Sequence, residues 1–272
     1  MKKINPIKSL LIYLSLGLCL TACEEDNTDP DNPDPDNPAQ AGCQLTKVME
    51  EGDDEYGEVA YNAQGYSTKL ITKEPGSNAT DEYTLFTYNT NNQLVKMENY
   101  DDGLLDDDYA TFEYTDNLLT TINNYDGSTL ESVTTLKYVT DKRVIEYSSD
   151  EEGDAYKTTY TYDSKGNVTK EEYFNSNALT SSITYENYDD KHTPYSVLKG
   201  VPNVITGNLS QNNAGKMTYS YDSDGDGVIQ PGESSDVTTY TYEYNSDGYP
   251  TKITETDVDG DTDVTALTYQ CE

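Results

Sequence analysis

Residues 222–233 carry the clearest signal for chemistry in this sequence. The segment reads DSDGDGVIQPGE, with acidic residues alternating at its start, a glycine at its sixth position and a glutamate at its end. Ca²⁺ prefers about six to eight oxygen ligands, and carboxylates spaced in this way converge on one ion when a glycine permits the bend. The spacing predicts a structural calcium site made by Asp222, Asp224, Asp226, the carbonyl of Val228, Gln230 and Glu233.

The flanks of this loop predict an unusual setting for it. The loops of EF-hands and dockerins follow the same pattern, but residues 216–221 and 237–244 alternate Tyr and Thr, which is typical of strands. We therefore expect a calcium loop within a β-hairpin, and the alternative is a solvated acidic turn. A second acidic segment, 257–263, has Thr268 where the closing glutamate would stand. An Asp-Gly hairpin turn explains that segment without a metal, and a second ion there stays an open question.

Composition excludes several classes of function. The 272 residues include 17 Lys and Arg against 51 Asp and Glu, a formal net charge of −34, which rules out binding to nucleic acid phosphates. His192 is the only histidine and lies two residues before Pro194 in a segment without a nucleophile-elbow pattern, so Ser-His-acid catalysis is not expected. A carboxylate-based hydrolase stays open only because so many acids make close pairs inevitable. We expect no enzyme.

The N-terminus predicts export and lipid attachment. Residues 1–22 contain three lysines followed by an apolar run at 10–20, which is too short to span a bilayer and is typical of a signal peptide. The segment Leu-Thr-Ala-Cys that ends at Cys23 is similar to the lipobox of bacterial lipoproteins, in which the cysteine receives the acyl chains. The acidic residues 24–26 resemble the surface-export signals of Bacteroides-like lipoproteins. This resemblance implies an outer-membrane protein anchored through Cys23 and facing the exterior.

Three regions follow from these boundaries: the signal peptide 1–22, an acidic proline-rich tether 23–42 and a folded domain 43–272. Prolines spaced along the tether block both helix and sheet, so we expect a semi-extended spacer. Two cysteines, Cys43 and Cys271, remain at opposite ends of the folded domain, in a compartment where disulfides persist. We predict that they are paired, the alternative being two separate thiols.

The folded domain is built from repeats. An aromatic-x-Tyr motif returns about every 25 residues, commonly followed by Asp or Asn and then Gly, and spaced by one interval of 36 that marks an insertion at 187–215. The second tyrosines of the motif are Tyr61, Tyr88, Tyr114, Tyr138, Tyr162, Tyr185, Tyr221, Tyr244 and Tyr269. Each unit predicts two antiparallel strands, which gives an all-β meander of about 16 strands.

These repeats resemble the YD repeats of Rhs-type and toxin-shell proteins. The domain 43–272 resembles more closely the uncharacterised surface lipoproteins of Bacteroides-type bacteria whose β domain is described as porin-like. The resemblance implies an architecture and carries over no functional residue.

Closure of the sheet follows from the cysteines. Cys43 begins the first strand and Cys271 ends the last, so a disulfide between them requires a closed or nearly closed barrel. The tyrosine side of each strand can pack inward while Thr and charged residues face water, so we expect a water-exposed barrel. Apolar residues in the insertion have roughly helical spacing and predict a plug over the core, with a lid over a ligand as the alternative.

The function that these features favour is a non-catalytic, calcium-binding surface lipoprotein, monomeric, that captures an extracellular glycan or protein. The membrane is contacted through the lipid anchor only, and the ligand-binding residues cannot be named from the sequence. A structural or adhesive shell protein, in which tyrosines only fill the core, is the alternative, with a carboxylate-based hydrolase behind it.

Overall fold

The computed structural model describes residues 42–76, 82–139, 143–151, 154–230, 233 and 235–271. The predicted signal peptide, Cys23 and the tether up to residue 41 lie outside these residues. Within the described residues the fold contains one short helix, α1, at Asn203–Thr206, and sixteen strands. The strands are β1 Gln44–Glu50, β2 Tyr56–Tyr61, β3 Ser67–Lys73, β4 Glu82–Tyr88, β5 Leu94–Asp101, β6 Leu104–Thr115, β7 Leu118–Asp126, β8 Thr129–Tyr138, β9 Val144–Glu151, β10 Asp154–Tyr162, β11 Val168–Asn175, β12 Ala178–Glu186, β13 Lys216–Tyr221, β14 Ser235–Tyr244, β15 Pro250–Thr256 and β16 Thr262–Gln270.

The strands form a closed antiparallel barrel. Each strand pairs with its neighbours in sequence, and β1 pairs with β16 to complete the circle, with Leu45 opposite Tyr269 and Val48 opposite Leu267. Closure leaves no strand with an unpaired edge along its whole length, which removes the aggregation hazard of an open meander. The predicted closed barrel of about 16 strands is confirmed.

The repeat motif marks the point where an even-numbered strand ends. The strand pairing shifts by one residue just before Tyr61, Tyr88, Tyr114 and Tyr138, which is the signature of a β-bulge at the motif tyrosine. The phenol then donates a hydrogen bond to a main-chain carbonyl of the preceding strand, as from Tyr61 to Leu45 at 2.7 Å. Tyr88 donates in the same way to the carbonyl of Ser67, also at 2.7 Å.

The turns after four of the motifs depend on one Asp or Asn side chain, at Asn62, Asn89, Asp163 and Asn245. Asp163 Oδ1 accepts from the main-chain N–H groups of Lys165 and Asn167, at 2.8 and 2.9 Å, and Gly166 between them has a φ of +88°. Asn245 holds the turn before β15 in the same manner, with Gly248 at a φ of +83°. A short polar side chain and a residue that tolerates positive φ are therefore what these turns share.

The motif that contains Tyr219 and Tyr221 is out of phase with the others. Tyr221 ends β13, an odd-numbered strand, and β13 runs toward the opposite end of the barrel from the strands that the other motifs terminate. The corresponding position in the repeat is Tyr244, at the end of β14. Our alignment of Tyr221 with the other motif tyrosines was therefore wrong, because the insertion 187–215 occupies a turn position between β12 and β13.

The two ends of the barrel are different, and we name them by what they carry. The plug end carries the insertion 187–215 and the termini of the domain. The acidic end carries the hairpin loops at 51–55, 102–103, 222–234 and 257–261. The predicted calcium loop and the insertion therefore lie at opposite ends of the molecule.

The insertion closes the plug end. Leu198, Val201 and Ile205 are at most 9% exposed and belong to the same buried cluster as the inward side chains of the strands. They line, together with Leu45 and Phe86, a void of only about 20 Å³, so the insertion and the barrel wall are in close contact. The plug interpretation is confirmed, and only Asn203–Thr206 of the insertion is helical. None of the described helices is long and apolar enough to cross a lipid bilayer.

The interior becomes more polar toward the acidic end. Phe86, Leu136 and Tyr160 belong to the buried apolar cluster. Two residues further toward the acidic end on the same face of each strand lie Thr84, Thr134 and Thr158, all at most 4% exposed. The apolar core thus occupies the plug half of the barrel, and a threonine layer lies beside it.

The outer face is polar. Lysines and glutamates pair across it, as in Lys96–Glu98 at 2.6 Å and Lys216–Glu186 at 2.5 Å. Such exposed pairs add little stability, but they show that this face is suited to water. The outer face of the described strands has no apolar band of the kind that a lipid-facing barrel presents.

Some tyrosines lie on the outer face, contrary to our expectation that the tyrosine side points inward. Tyr83 stacks on Tyr100 with ring centroids 4.6 Å apart, and Tyr109 stacks on Tyr125 at 4.7 Å. Lys69 lies over the ring of Tyr83, 3.1 Å from its centroid. These residues are cross-strand partners on the solvent side, where stacking and cation–π contacts stabilise the pair without burial.

Candidate functional site

The predicted calcium loop connects β13 and β14 at the acidic end. Asp222 begins the loop, and its two carboxylate oxygens accept from the N–H groups of Gly225 and Gly227, each at 2.7 Å. Glu233 closes it by accepting from the N–H of Ser223 at 2.9 Å and from the N–H of Gln230 at 2.6 Å. Carboxylates at both ends of the segment therefore determine its fold.

Three of the predicted ligands converge. Carboxylate oxygens of Asp222, Asp224 and Asp226 lie within 4.8 Å of one another. Hydrogen bonds from main-chain N–H groups hold the pKa of Asp222 and of Glu233 below the usual range, with Gly227 the main donor for Asp222 and Gln230 for Glu233. Both groups are thus ionised at neutral pH and are suitable donors for a hard divalent cation.

The remaining predicted ligands, Val228 and Gln230, both hydrogen-bond to Asp226. The Gln230 carboxamide donates to Asp226 Oδ2 at 2.9 Å, so it shapes the loop and leaves its own oxygen for another partner. Val228 is 57% exposed, and its N–H donates to Asp226 Oδ1 at 2.8 Å. The donor set as a whole fits Ca²⁺, because it consists of oxygens alone.

The second acidic loop has a simpler arrangement. Asp257 Oδ1 accepts from the N–H groups of Asp259 and Asp261, both at 2.9 Å, and Gly260 adopts a φ of +87°. Within the described residues its carboxylates do not gather three ligand atoms within 4.8 Å. The segment has the geometry of the turns that end the other repeats.

The cysteines meet at the plug end. Cys43 and Cys271 form a disulfide with an S–S distance of 1.88 Å across 228 residues of chain, as predicted. The bond joins the start of β1 to the residue that follows β16, at the seam where the barrel closes.

Two groups of carboxylates among the described residues bear on the hydrolase alternative. Glu171 is 9% exposed and accepts from the phenols of Tyr173 at 2.5 Å and Tyr185 at 3.0 Å. Glu255 and Asp263 are cross-strand partners on adjacent strands of one wall, and burial together with the nearby charges of Asp263 and Glu50 raises the pKa of Glu255. A retaining or inverting mechanism needs two carboxyls on opposite sides of a bound sugar.

A groove lies in the barrel wall at the plug end, where β14 extends beyond the first residue of β13. Its volume is about 330 Å³. Three tyrosines of β14 form one side, and the two arms of the insertion form the other, around Asp189 and Asn213. Asp189 and Asn213 were not predicted from the sequence. They are 24 positions apart, and only the fold of the insertion brings them together with β14.

Comparisons with known proteins give relatives of the fold only. Neither the known protein families nor the curated proteins contain a match to this chain. A crystal structure of a porin-like protein from Bacteroides uniformis superimposes with a TM-score of 0.54 at 16% identity, covering 85% of this chain and 96% of that one. A porin-like protein from Bacteroides vulgatus gives 0.55 at 12% identity, covering 83% and 98%.

The toxin resemblance is not established by these comparisons. A TcdB2–TccC3 toxin structure overlaps 74% of this chain with a TM-score of only 0.30, so the YD-repeat origin of the motif remains a prediction. At these identities the comparisons show that the chain shares its barrel fold with the porin-like proteins of Bacteroides.

Proposed function

We propose that this protein is a non-catalytic, lipid-anchored binding protein of the cell surface, in which the barrel serves as a scaffold. The observation that carries this proposal is the plug: buried Leu, Val and Ile side chains of the insertion fill the plug end of the barrel. A barrel that is filled at one end and polar on its outside is suited to present surfaces to solvent, whereas a conduit needs an open lumen.

The anchor rests on the sequence around Cys23. Growth of the source bacterium with an alkyne analogue of palmitate tests it, since the acylated protein then carries the label. We expect wild-type protein to be labelled and the Cys23→Ala variant to be unlabelled. Loss of the protein from intact cells on protease treatment tests the outward orientation, and protection of a labelled protein would place it on the periplasmic leaflet.

Calcium binding is the second part of the proposal. Three converging aspartates, a closing glutamate and two glycines with positive φ support a site in the 222–233 loop. Bound Ca²⁺ stabilises the folded state by mass action, by about 2.7 kcal/mol at a hundredfold excess over its Kd. We expect the melting temperature to rise with added calcium and to fall with EDTA.

The Glu233→Gln variant separates the calcium site from a general effect of salt. The amide keeps the size of the side chain but removes the charge that would close the coordination sphere, so we expect most of the calcium-dependent increase to disappear. Asp261→Asn, in the second acidic loop, is the matched control and should respond to calcium as the wild type does. A melting temperature indifferent to calcium and EDTA in the wild type would contradict the site.

Ligand capture is the third part, and the ligand class that we propose is a glycan. The outward-facing anchor and the abundance of tyrosine support it, since sugars pack on aromatic faces. A glycan array probed with the mature protein tests it directly. Binding to no glycan would favour the alternative, a structural or adhesive shell protein.

A further inference from the structure

The groove at the plug end has two walls that belong to different parts of the chain. The ladder between β13 and β14 begins at the pair of Lys216 with Thr239, while β14 continues to Tyr244. Tyr240, Tyr242 and Tyr244 lie along that continuation of β14, with successive ring centroids 6.5 and 6.0 Å apart, and the N–H of Tyr240 donates to the carbonyl of Gly215 at 3.0 Å. Opposite them run residues 187–189 and 213–215 of the insertion, which hydrogen-bond to each other through Asp189 N–H and the Asn213 carbonyl at 3.0 Å.

Hydrogen bonds across the groove hold its shape. The phenol of Tyr242 donates to the carbonyl of Ala214 at 2.8 Å, and the phenol of Tyr244 donates to the Asp189 carboxylate. Asp189 also accepts from the N–H of Asn213 at 3.1 Å and from the N–H of Lys191 at 3.0 Å. Both walls are thus tied together, and a ligand would bind to a preformed site with little loss of side-chain entropy.

We propose that this groove binds the ring of a neutral sugar, which locates the glycan site of the proposed function and rests on it. The three tyrosines offer a row of aromatic surface against which the C–H faces of sugar rings pack. The exposed carboxamide of Asn187 offers hydrogen-bond partners for hydroxyl groups at the same place, beside the Asp189 carboxylate that ties the two walls together. A volume of about 330 Å³ is at the small end of ligand pockets, so the open groove takes one or two sugar units of a longer chain.

The lining argues against other classes of ligand. The Asp189 carboxylate repels anions, so acidic sugars and phosphates are disfavoured, whereas its neighbour Asp190 lies outside the groove lining and is paired with Lys191 at 2.5 Å. Within the described residues Asp189 does not belong to a group of three metal-ligating atoms within 4.8 Å of one another. The stacked tyrosine pairs of the outer face are poor alternatives, because Tyr83 has its two faces covered by Tyr100 and Lys69.

The test is a titration of the mature protein, with calcium present, against uncharged oligosaccharides chosen as hits on the array. Tyr240→Ala removes aromatic surface and should weaken binding at least tenfold. Asn187→Gly removes only the carboxamide at a position with a φ of +61°, which glycine adopts freely, and should weaken binding several-fold without affecting folding. Tyr83→Ala, on the outer face, is the matched control and should bind as the wild type does.

Each result has one meaning. Loss of binding in both groove variants, with the control unchanged, supports the site. Binding that is unchanged in Asn187→Gly and in folded Tyr240→Ala overturns the site and leaves glycan capture by another surface. Wild-type binding to anionic glycans alone overturns the ligand class, and binding to no glycan overturns both the site and the glycan part of the proposed function.

Discussion

At the scale of single residues, Glu171 shows what the barrel interior demands of a charged side chain. Burial raises the pKa of this carboxyl, and the hydrogen bonds from Tyr173 and Tyr185 only partly oppose that effect. A folded-state pKa above the unfolded value means that the contribution of Glu171 to stability is full below about pH 4.5 and is lost as the pH rises. Ionising Glu171 is therefore less favourable in the folded protein than in the unfolded chain.

The Glu171→Gln variant should be more stable than the wild type at pH 8 and about equally stable at pH 4. The amide can hydrogen-bond the same two phenols and has no proton to lose. We expect the melting temperature at pH 8 to rise by a few degrees, since roughly 2–4 °C corresponds to about 1 kcal/mol in a domain of this size. Glu172→Gln, at an ion pair with Lys170 on the outer face, should change it little. A variant equally or less stable at pH 8 would contradict the raised pKa of this buried carboxyl.

At the scale of elements, Gly200 decides how the insertion docks on the strands. It has a φ of +85°, and a Cβ at this position would lie 2.5 Å from the Tyr66 ring and 2.7 Å from the Tyr88 ring. Gly207, at the end of α1, also has positive φ but has nothing within 4 Å of such a Cβ. Substitutions at Gly200 and Gly207 therefore separate the effect of close packing on stability from the effect of backbone conformation.

We expect Gly200→Ala to destabilise the protein by about 2–4 kcal/mol, as the sum of a left-handed conformation and a clash with two rings. Gly207→Ala should lose only the conformational part, about 1 kcal/mol. Urea unfolding followed by circular dichroism measures both. Equal losses in the two variants would mean that the insertion does not pack on Tyr66 and Tyr88 as described.

The hairpins were predictable from the sequence, and the groove was not. Alternating Tyr and Thr, Asp163 or Asn245 at the turn and Gly166 or Gly248 after it are local signals, and several units repeat them. Asp189 and Asn213 carry no such signal, because their role depends on how the insertion folds back against β14. The phase of Tyr221 was misjudged for the same reason: an insertion changes which strand a motif terminates without changing the motif.

At the scale of the whole molecule, the barrel depends on a seam between β1 and β16. Strand pairing and the Cys43–Cys271 disulfide both hold it. In the chain-entropy description a cross-link over 228 residues adds at most about 5 kcal/mol. We expect the Cys43→Ser, Cys271→Ser double variant to fold and to melt at a clearly lower temperature, and the wild type with reductant to match it. A double variant that melts with the wild type would show that strand pairing alone secures the seam.

The tyrosine core makes the whole barrel sensitive to alkali. Burial raises the pKa of Tyr61, Tyr88, Tyr114 and Tyr138 well above the ordinary value of 10.0. Groups with a raised folded-state pKa contribute their full stability below pH 10 and lose it as the pH rises further. Phenolate absorbance at 295 nm should therefore increase together with loss of the circular dichroism signal above pH 10. A buried set that ionises while the fold persists would contradict the packing.

The central claim is that this barrel is a plugged scaffold with a polar exterior, held at the membrane only by its lipid. The most direct measurement is partitioning of the Cys23→Ala protein between water and a detergent phase, followed by conductance across planar bilayers. We predict that the unacylated protein stays in the aqueous phase as a monomer and produces no channels, whereas the acylated wild type moves into detergent. Entry of the Cys23→Ala protein into detergent, or stepwise ion conductance, would contradict the account.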